Sequence, residues 1–209
     1  MNYNEVVSDV EVYGLEKSVR ASKYPMAVDV NKVTEEITNR TKSLASAPKG
    51  SGHDNFLKGI IVQFDLTMTV KMSVEEERYH FIDFVSSQST MHKITQFDLD
   101  KAYIKYVDKR MIEIMKEKVE EYNRLSNAII PQDLESTIKH NEMLKEKYLE
   151  ILYSNPCGFR LTSRMTTNYQ QLKTIYSQRK THRLPEWRAF CDWIETLPYA
   201  REFIIGEEN

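Results

Sequence analysis

Glycine and proline are sparse in this chain of 209 residues, at six each. That scarcity argues against long flexible or proline-rich linkers. Cysteine is scarcer still: Cys157 and Cys191 stand alone, with no Cys-x-x-Cys pair. They read as reduced structural thiols, which points to an intracellular, cytoplasmic setting. No apolar run approaches the roughly 20 residues of a membrane span, so no membrane association is expected. The opening MNYNEVVSDVEV lacks the apolar core and basic flank of a signal peptide. Charge of one sign is missing too: 29 Lys and Arg face 31 Asp and Glu, a net charge of -2. Without a basic excess, no nucleic-acid polymer is expected as a partner.

Short catalytic motifs are also absent. The glycine-rich dinucleotide fingerprint, the P-loop, His-Glu-x-x-His, the EF-hand loop and the Gly-x-Ser-x-Gly elbow do not occur. His53, His80, His92, His140 and His182 are not grouped at metal-ligand spacing, so no metal is expected. There are no internal repeats.

What the chain does have is 41% hydrophobic residues, ample for a core, at a length that suits one domain over 1–209. VSDVEVYGLE predicts a short strand ending at Gly14. DVNKVTEEITNRTKSLASA predicts a polar helix with Val33, Ile37 and Leu44 on one side. IIVQFDLTMTVKM alternates strictly, with Ile60, Val62, Phe64, Leu66, Met68, Val70 and Met72 on one face. That period of two predicts a half-buried strand over 60–72 in an antiparallel sheet. Ser73 and the acids after it predict a helix that carries His80 near its end. A polar strip follows: Ser86, Ser87, Gln88, Ser89 and Thr90. Apolar spacings of three and four predict helices over about 99–125 and 134–153. FRLTSRMTTN predicts a strand, Asn168 or Thr167 caps the next helix, and LPEWRAFCDWIETL is the last. The order gives an α+β domain: a small, mainly antiparallel sheet flanked by long helices.

Three blocks in sequence carry a resemblance. They are GHDNFLKGIIVQFDLTM, ERYHFIDFVSSQST and NPCGFRLTSRMTTNYQQLKTIYSQRKTHRLPEW. Together they resemble the flavin-dependent thymidylate synthases. The family signature is Arg-His-Arg, seven residues, then Ser. Here that register reads Tyr79-His80-Phe81, seven residues, then Ser89, so both arginines are replaced. An Arg two residues after the Ser is replaced by Met91. Gly52-His53-Asp54-Asn55-Phe56 resembles the family's early turn. Pro156, Asn168, Leu172, Arg179 and Trp187 follow the family's later order, with Gln170 in place of an Arg.

The resemblance implies FAD as cofactor, with NADPH and methylenetetrahydrofolate as co-substrates and a pyrimidine deoxynucleotide as substrate. It also implies a homotetramer with shared sites. His53, Asn55, His80 and Asn168 are then the cofactor residues, and Ser87, Gln88, Ser89 and Arg179 the substrate residues. Ser89 is the candidate catalytic residue. No base adjoins it in sequence, so contact with substrate is expected rather than covalent attack. A guanidinium gives bidentate contacts that Tyr, Phe and Gln cannot replace. Arg160, Arg164, His92 and Lys93 are candidates for replacement charge. The activity implied is reductive one-carbon transfer to a deoxyuridylate-like base. The alternatives are a catalytically silent nucleotide- or flavin-binding or interaction protein on the same scaffold, and a relative acting on another nucleotide. On the residues alone, Ser86–Thr90 also reads as a turn, Asn168 as a plain helix cap and Arg179 as a dipole-compensating cation.

Overall fold

The computed structural model describes residues 1–48, 50–129 and 133–206. In chain order the strands are β1 (Val7–Tyr13), β2 (Ile61–Thr69), β3 (Ile82–Ser87) and β4 (Arg160–Asn168). The α-helices are α1 (Leu15–Ala21), α2 (Asn39–Ala45), α3 (Val70–Glu76), α4 (Thr90–Lys93), α5 (Leu99–Ala102), α6 (Lys109–Ser126), α7 (Leu134–Ser154), α8 (Tyr169–Arg179) and α9 (Pro185–Ile194). The strands form one sheet in the order β1-β2-β4-β3. Both edge pairs, β1 with β2 and β3 with β4, run antiparallel. The α+β class and the shared sheet of β2 and β4 are therefore as expected.

Four elements differ from expectation. The polar helix starts only at Asn39, where the Thr38 and Thr41 side chains form a reciprocal cap. Before it, Arg20 donates to the Val30 carbonyl at 2.7 Å and Lys23 to the Thr34 carbonyl at 3.0 Å. Those contacts use carbonyls that a helix would need. The 60–72 strand ends at Thr69, and Val70 and Met72 belong to α3. The helix expected after Ser73 is thus shifted back, and a strand, β3, follows it. The 99–125 helix is broken: Tyr103 bridges to Phe159, and Asp108 restarts the chain as the cap of α6.

The chain forms two compact units. The first holds Met1–Met68, Met72–Ser87 and the residues from Thr162 onward; the second holds Thr69–Lys71 and Gln88–Leu161. In the first, the inward face of β2 (Val62, Phe64, Leu66, Met68) is buried, as its alternation requires. Phe64 meets Trp193 at 4.7 Å between ring centroids, and Phe190 meets Trp193 at 5.0 Å. Each such side chain contributes roughly 1.5–3 kcal/mol of burial. Cys191 of α9 lies in this core, its thiol pushed up to about 12 by burial. In the second unit α6 and α7 pack around Met115, Val119 and Ile151. Gly158 lets the chain pass there: a Cβ would come within 2.3 Å of Val107. No helix among the described residues is long and apolar enough to cross a membrane.

Candidate functional site

Asn168 ends β4 and caps α8, its side-chain oxygen accepting from the Gln171 amide at 2.9 Å. A β-region Asn at this position starts a helix because it satisfies one of the orphan amides of the first turn. Asn168, Gln170, Gln171, Lys173 and Thr174 line a cleft of about 440 Å³. Across from them Asn55, Lys58 and the glycine-containing loop close the same cleft. Asp54 lies at its base, 1% exposed. Its carboxylate accepts from Gln170 at 3.0 Å and from Lys173 at 3.0 Å. Lys173 also donates to the carbonyls of Ala45 and Ala47. A buried carboxylate and a nearly buried ammonium thus neutralise each other and tie the loop to α8. The helix N-terminus and Lys58 remain as the cleft's positive end.

A second cavity of about 680 Å³ lies along the turn from α3 into β3, lined by Glu76, Glu77, Tyr79, His80, Asp83 and Phe84 among others. Phe81 lines both cavities. Its φ is 68°, a left-handed conformation costly for a bulky residue, and its carbonyl accepts from the Thr167 hydroxyl at 2.7 Å. His80 is exposed beside it. Glu76 is 1% exposed, and neither carboxylate oxygen has a hydrogen-bond partner. Burial, then the neighbouring Glu77 and Asp83 carboxylates, push its pKa up to about 7.

Arg179, at the end of α8, is held in a cage. Its Nε donates to the Tyr79 hydroxyl at 2.6 Å and its Nη1 to Glu75 at 3.0 Å. Its guanidinium lies 4.9 Å from the Trp187 ring centroid. His182 is 3.2 Å from the same Glu75 oxygen. Tyr79, Glu75 and Trp187 thus fix where the Arg179 guanidinium sits.

The other candidates fall as follows. Asn55 and Asn168 share the cleft. His53 is exposed in the turn between Gly52 and Asp54, which both line it. His80 belongs to the second cavity. Ser86 and Ser87 are not in a turn after a helix; they end β3, paired with Arg164 and Ser163 of β4. Gln88 and Ser89 belong to the other compact unit. Ser89 precedes α4 and makes no side-chain cap, although its carbonyl accepts from the His92 and Lys93 amides. Arg164 does not supply replacement charge to a ligand. It is tied to Asp9 at 2.8 Å, Glu11 at 3.1 Å and Asp65 at 3.4 Å within its own sheet.

No protein-family model matches the sequence, and no curated protein matches it. Solved structures do match. One is the flavin-dependent thymidylate synthase ThyX from Helicobacter pylori complexed with FAD and dUMP: TM-score 0.64, 14% identity, 94% of this chain and 98% of that one. The chain has the fold of the flavin-dependent thymidylate synthases. A second structure of the Helicobacter pylori enzyme with FAD and dUMP gives 0.64 at 13% identity, over 94% of this chain and 97% of the other. A UMP/dUMP methylase, PolB from Streptomyces cacaoi bound with 5-Br dUMP, gives 0.57 at 18% identity, over 91% and 87%. The thymidylate synthase fold therefore spans nearly the whole chain.

Sequence reasoning missed Asp54, Lys58, Lys173 and Glu76. Gln170, Lys173 and Thr174 stand three and four apart on α8, so one helix face could have been read as polar and inward. Met72 and Glu76 share the inward face of α3 in the same way, at 0% and 1% exposure. With the helix expected to start after Ser73, the glutamates read only as first-turn acids.

Proposed function

We propose that this chain is a divergent flavin-dependent thymidylate synthase-like enzyme, transferring a one-carbon unit reductively to a deoxyuridylate-like pyrimidine nucleotide. One observation carries the reading: in a chain with this fold, the cleft holding Asn55 and Asn168 opens onto the N-terminus of an 11-residue helix. That donor set fits the diphosphate of FAD. The first-turn amides of α8 and the Lys58 ammonium favour an anion there. Lys173 adds rigidity rather than charge, because Asp54 cancels it. FAD supplies hydride chemistry when bound, with NADPH and methylenetetrahydrofolate as co-substrates. Phe81, stiffly held and 66% exposed, offers a ring face between the two cavities. His53 and His80 complete the cofactor set in this reading. By the resemblance, Ser87, Gln88, Ser89 and Arg179 are the nucleotide residues, with Ser89 as a substrate-contacting catalytic residue.

The protein acts as a homo-oligomer, a tetramer by the resemblance. Edge strands support this: β1 leaves Val10 and Tyr13 exposed, and β3 leaves Phe84 and Val85 exposed. The test is growth of a thymidine-requiring strain carrying this gene, together with dTMP formation from dUMP by the purified protein. Growth and turnover support the reading; neither, with folded protein, removes it.

A second reading has its own observation. Arg179 is already paired with Glu75, and Phe81 and Met91 replace two family arginines. A silent binding protein, or an enzyme for another nucleotide, needs those groups less. A thermal-shift panel of nucleotides separates these two, since a ligand of the native state raises its melting temperature.

A further inference from the structure

The cavity between α3 and β3 has the wrong charge for a phosphate. Glu76, Glu77 and Asp83 all line it, while Arg179 next to it is spent on Glu75. Its walls include three aromatic rings, Tyr79, Phe81 and Phe84, of which Phe81 is 66% and Phe84 47% exposed. At its base Glu76 is 1% exposed with both oxygens unpartnered. A buried carboxyl group without donors is costly, and most native structures do not leave one so. Two oxygens side by side match two parallel N–H donors of a planar cation. Aromatic faces add attraction for such a cation and exclude water from it.

We propose that this cavity binds a planar organic cation of amidinium or guanidinium character, with Glu76 as its bidentate counter-charge and Phe81 and Phe84 as its aromatic walls. Glu77 and Asp83 supply the surrounding negative field. The ligand meets the only group in the cavity that the protein leaves both buried and unsatisfied among its described residues. The flavin reading is centred on the cleft at the start of α8 and shares only His80 and Phe81 with this cavity; the cation site rests on Glu76, which that reading does not use. Phe81 lines both cavities.

Benzamidine is the probe, and benzamide is its neutral counterpart of the same shape. Calorimetry on the whole protein, without flavin or nucleotide, measures both. Benzamidine is expected to bind at least about tenfold more tightly than benzamide, the difference being one charge-assisted pair. Glu76→Gln is expected to abolish that preference while keeping the wild-type circular dichroism and a cooperative melt. Glu77→Gln with Asp83→Asn, both on exposed positions, is expected to weaken benzamidine only a few-fold. No benzamidine binding, equal affinity for the two probes, or an undiminished preference in folded Glu76→Gln overturns the proposal. Failure of FAD binding leaves the benzamidine result unchanged, so the two readings fail separately.

Discussion

Glu76 and Arg179 are both nearly buried, yet the protein treats them in opposite ways. Arg179 has Glu75, Tyr79 and the Trp187 face; Glu76 has nothing within hydrogen-bond reach. The consequence for Glu76 is a pH effect with a definite sign. Its folded-state pKa of about 7 lies above the ordinary carboxylate value of 4.5. The native state therefore holds the proton more tightly, and that contribution is complete below about 4.5 and lost as pH rises through about 7. Glu77, Asp83 and His80 line the same cavity. Glu76→Gln should raise the melting temperature at pH 8, by a stability of the order of 3 kcal/mol at most, and change it little at pH 4.5. Thermal melts across that range check it; an equal gain at both ends contradicts it. Arg179→Ala should cost roughly 2–5 kcal/mol without any ligand, because it removes the bonds to Tyr79 and Glu75 together with the packing on the Trp187 face. Denaturant titration of the ligand-free protein reads this directly. A melt like wild type would show that the cage around Arg179 adds nothing to stability. Neither residue's environment could be read along the chain. Arg179 was singled out by family order alone, and Glu76 was hidden in a run of three glutamates that a solvated first turn explains equally well.

The elements read best where one physical rule acted alone. Strict alternation placed β2, although it ran three residues too far, because Val70 and Met72 keep the apolar period while turning into α3. The helix α7 was placed almost to the residue, between the Asp133 cap and Asn155. β3 was not legible. Its register shifts between Phe84 and Ser86, and only Ile82 of its residues is buried, so no period of two survives. That strand places Ser86 and Ser87 at a sheet edge, while Gln88 and Ser89 lie beyond it. The start of α8 was legible as a cap, and its role as the floor of a cleft was not, because Asp54 and Lys173 lie 119 residues apart. Their pairing makes a prediction. Lys173→Met keeps the length of the side chain but leaves Asp54 buried and uncompensated, at a cost of roughly 3–5 kcal/mol. Asp54→Asn in the same chain should recover much of it, since the amide needs no counter-charge. Urea midpoints of the single and double variants test this; additive losses would show that the two side chains do not act as a pair.

Across the molecule, fold and chemistry part company. The thymidylate synthase fold is matched over 94% of the chain at 14% identity, while the stretch resembling the family signature has Tyr79, Phe81 and Met91 where that signature has arginines. Packing accounts for the first: the alternation of β2 and the aromatic faces of α9 survive many substitutions of similar volume. Charge placement has no such tolerance, since each phosphate contact depends on one group. The cleft at the start of α8 is proposed to hold a flavin dinucleotide. Titration of FAD into the purified protein, followed by flavin fluorescence and absorbance, tests it most directly. Saturable binding is predicted, weakened about tenfold or more by Lys58→Ala through loss of a charge-assisted contact, with melting of the free protein unchanged. No saturable binding at high micromolar FAD, or binding indifferent to Lys58, would contradict it.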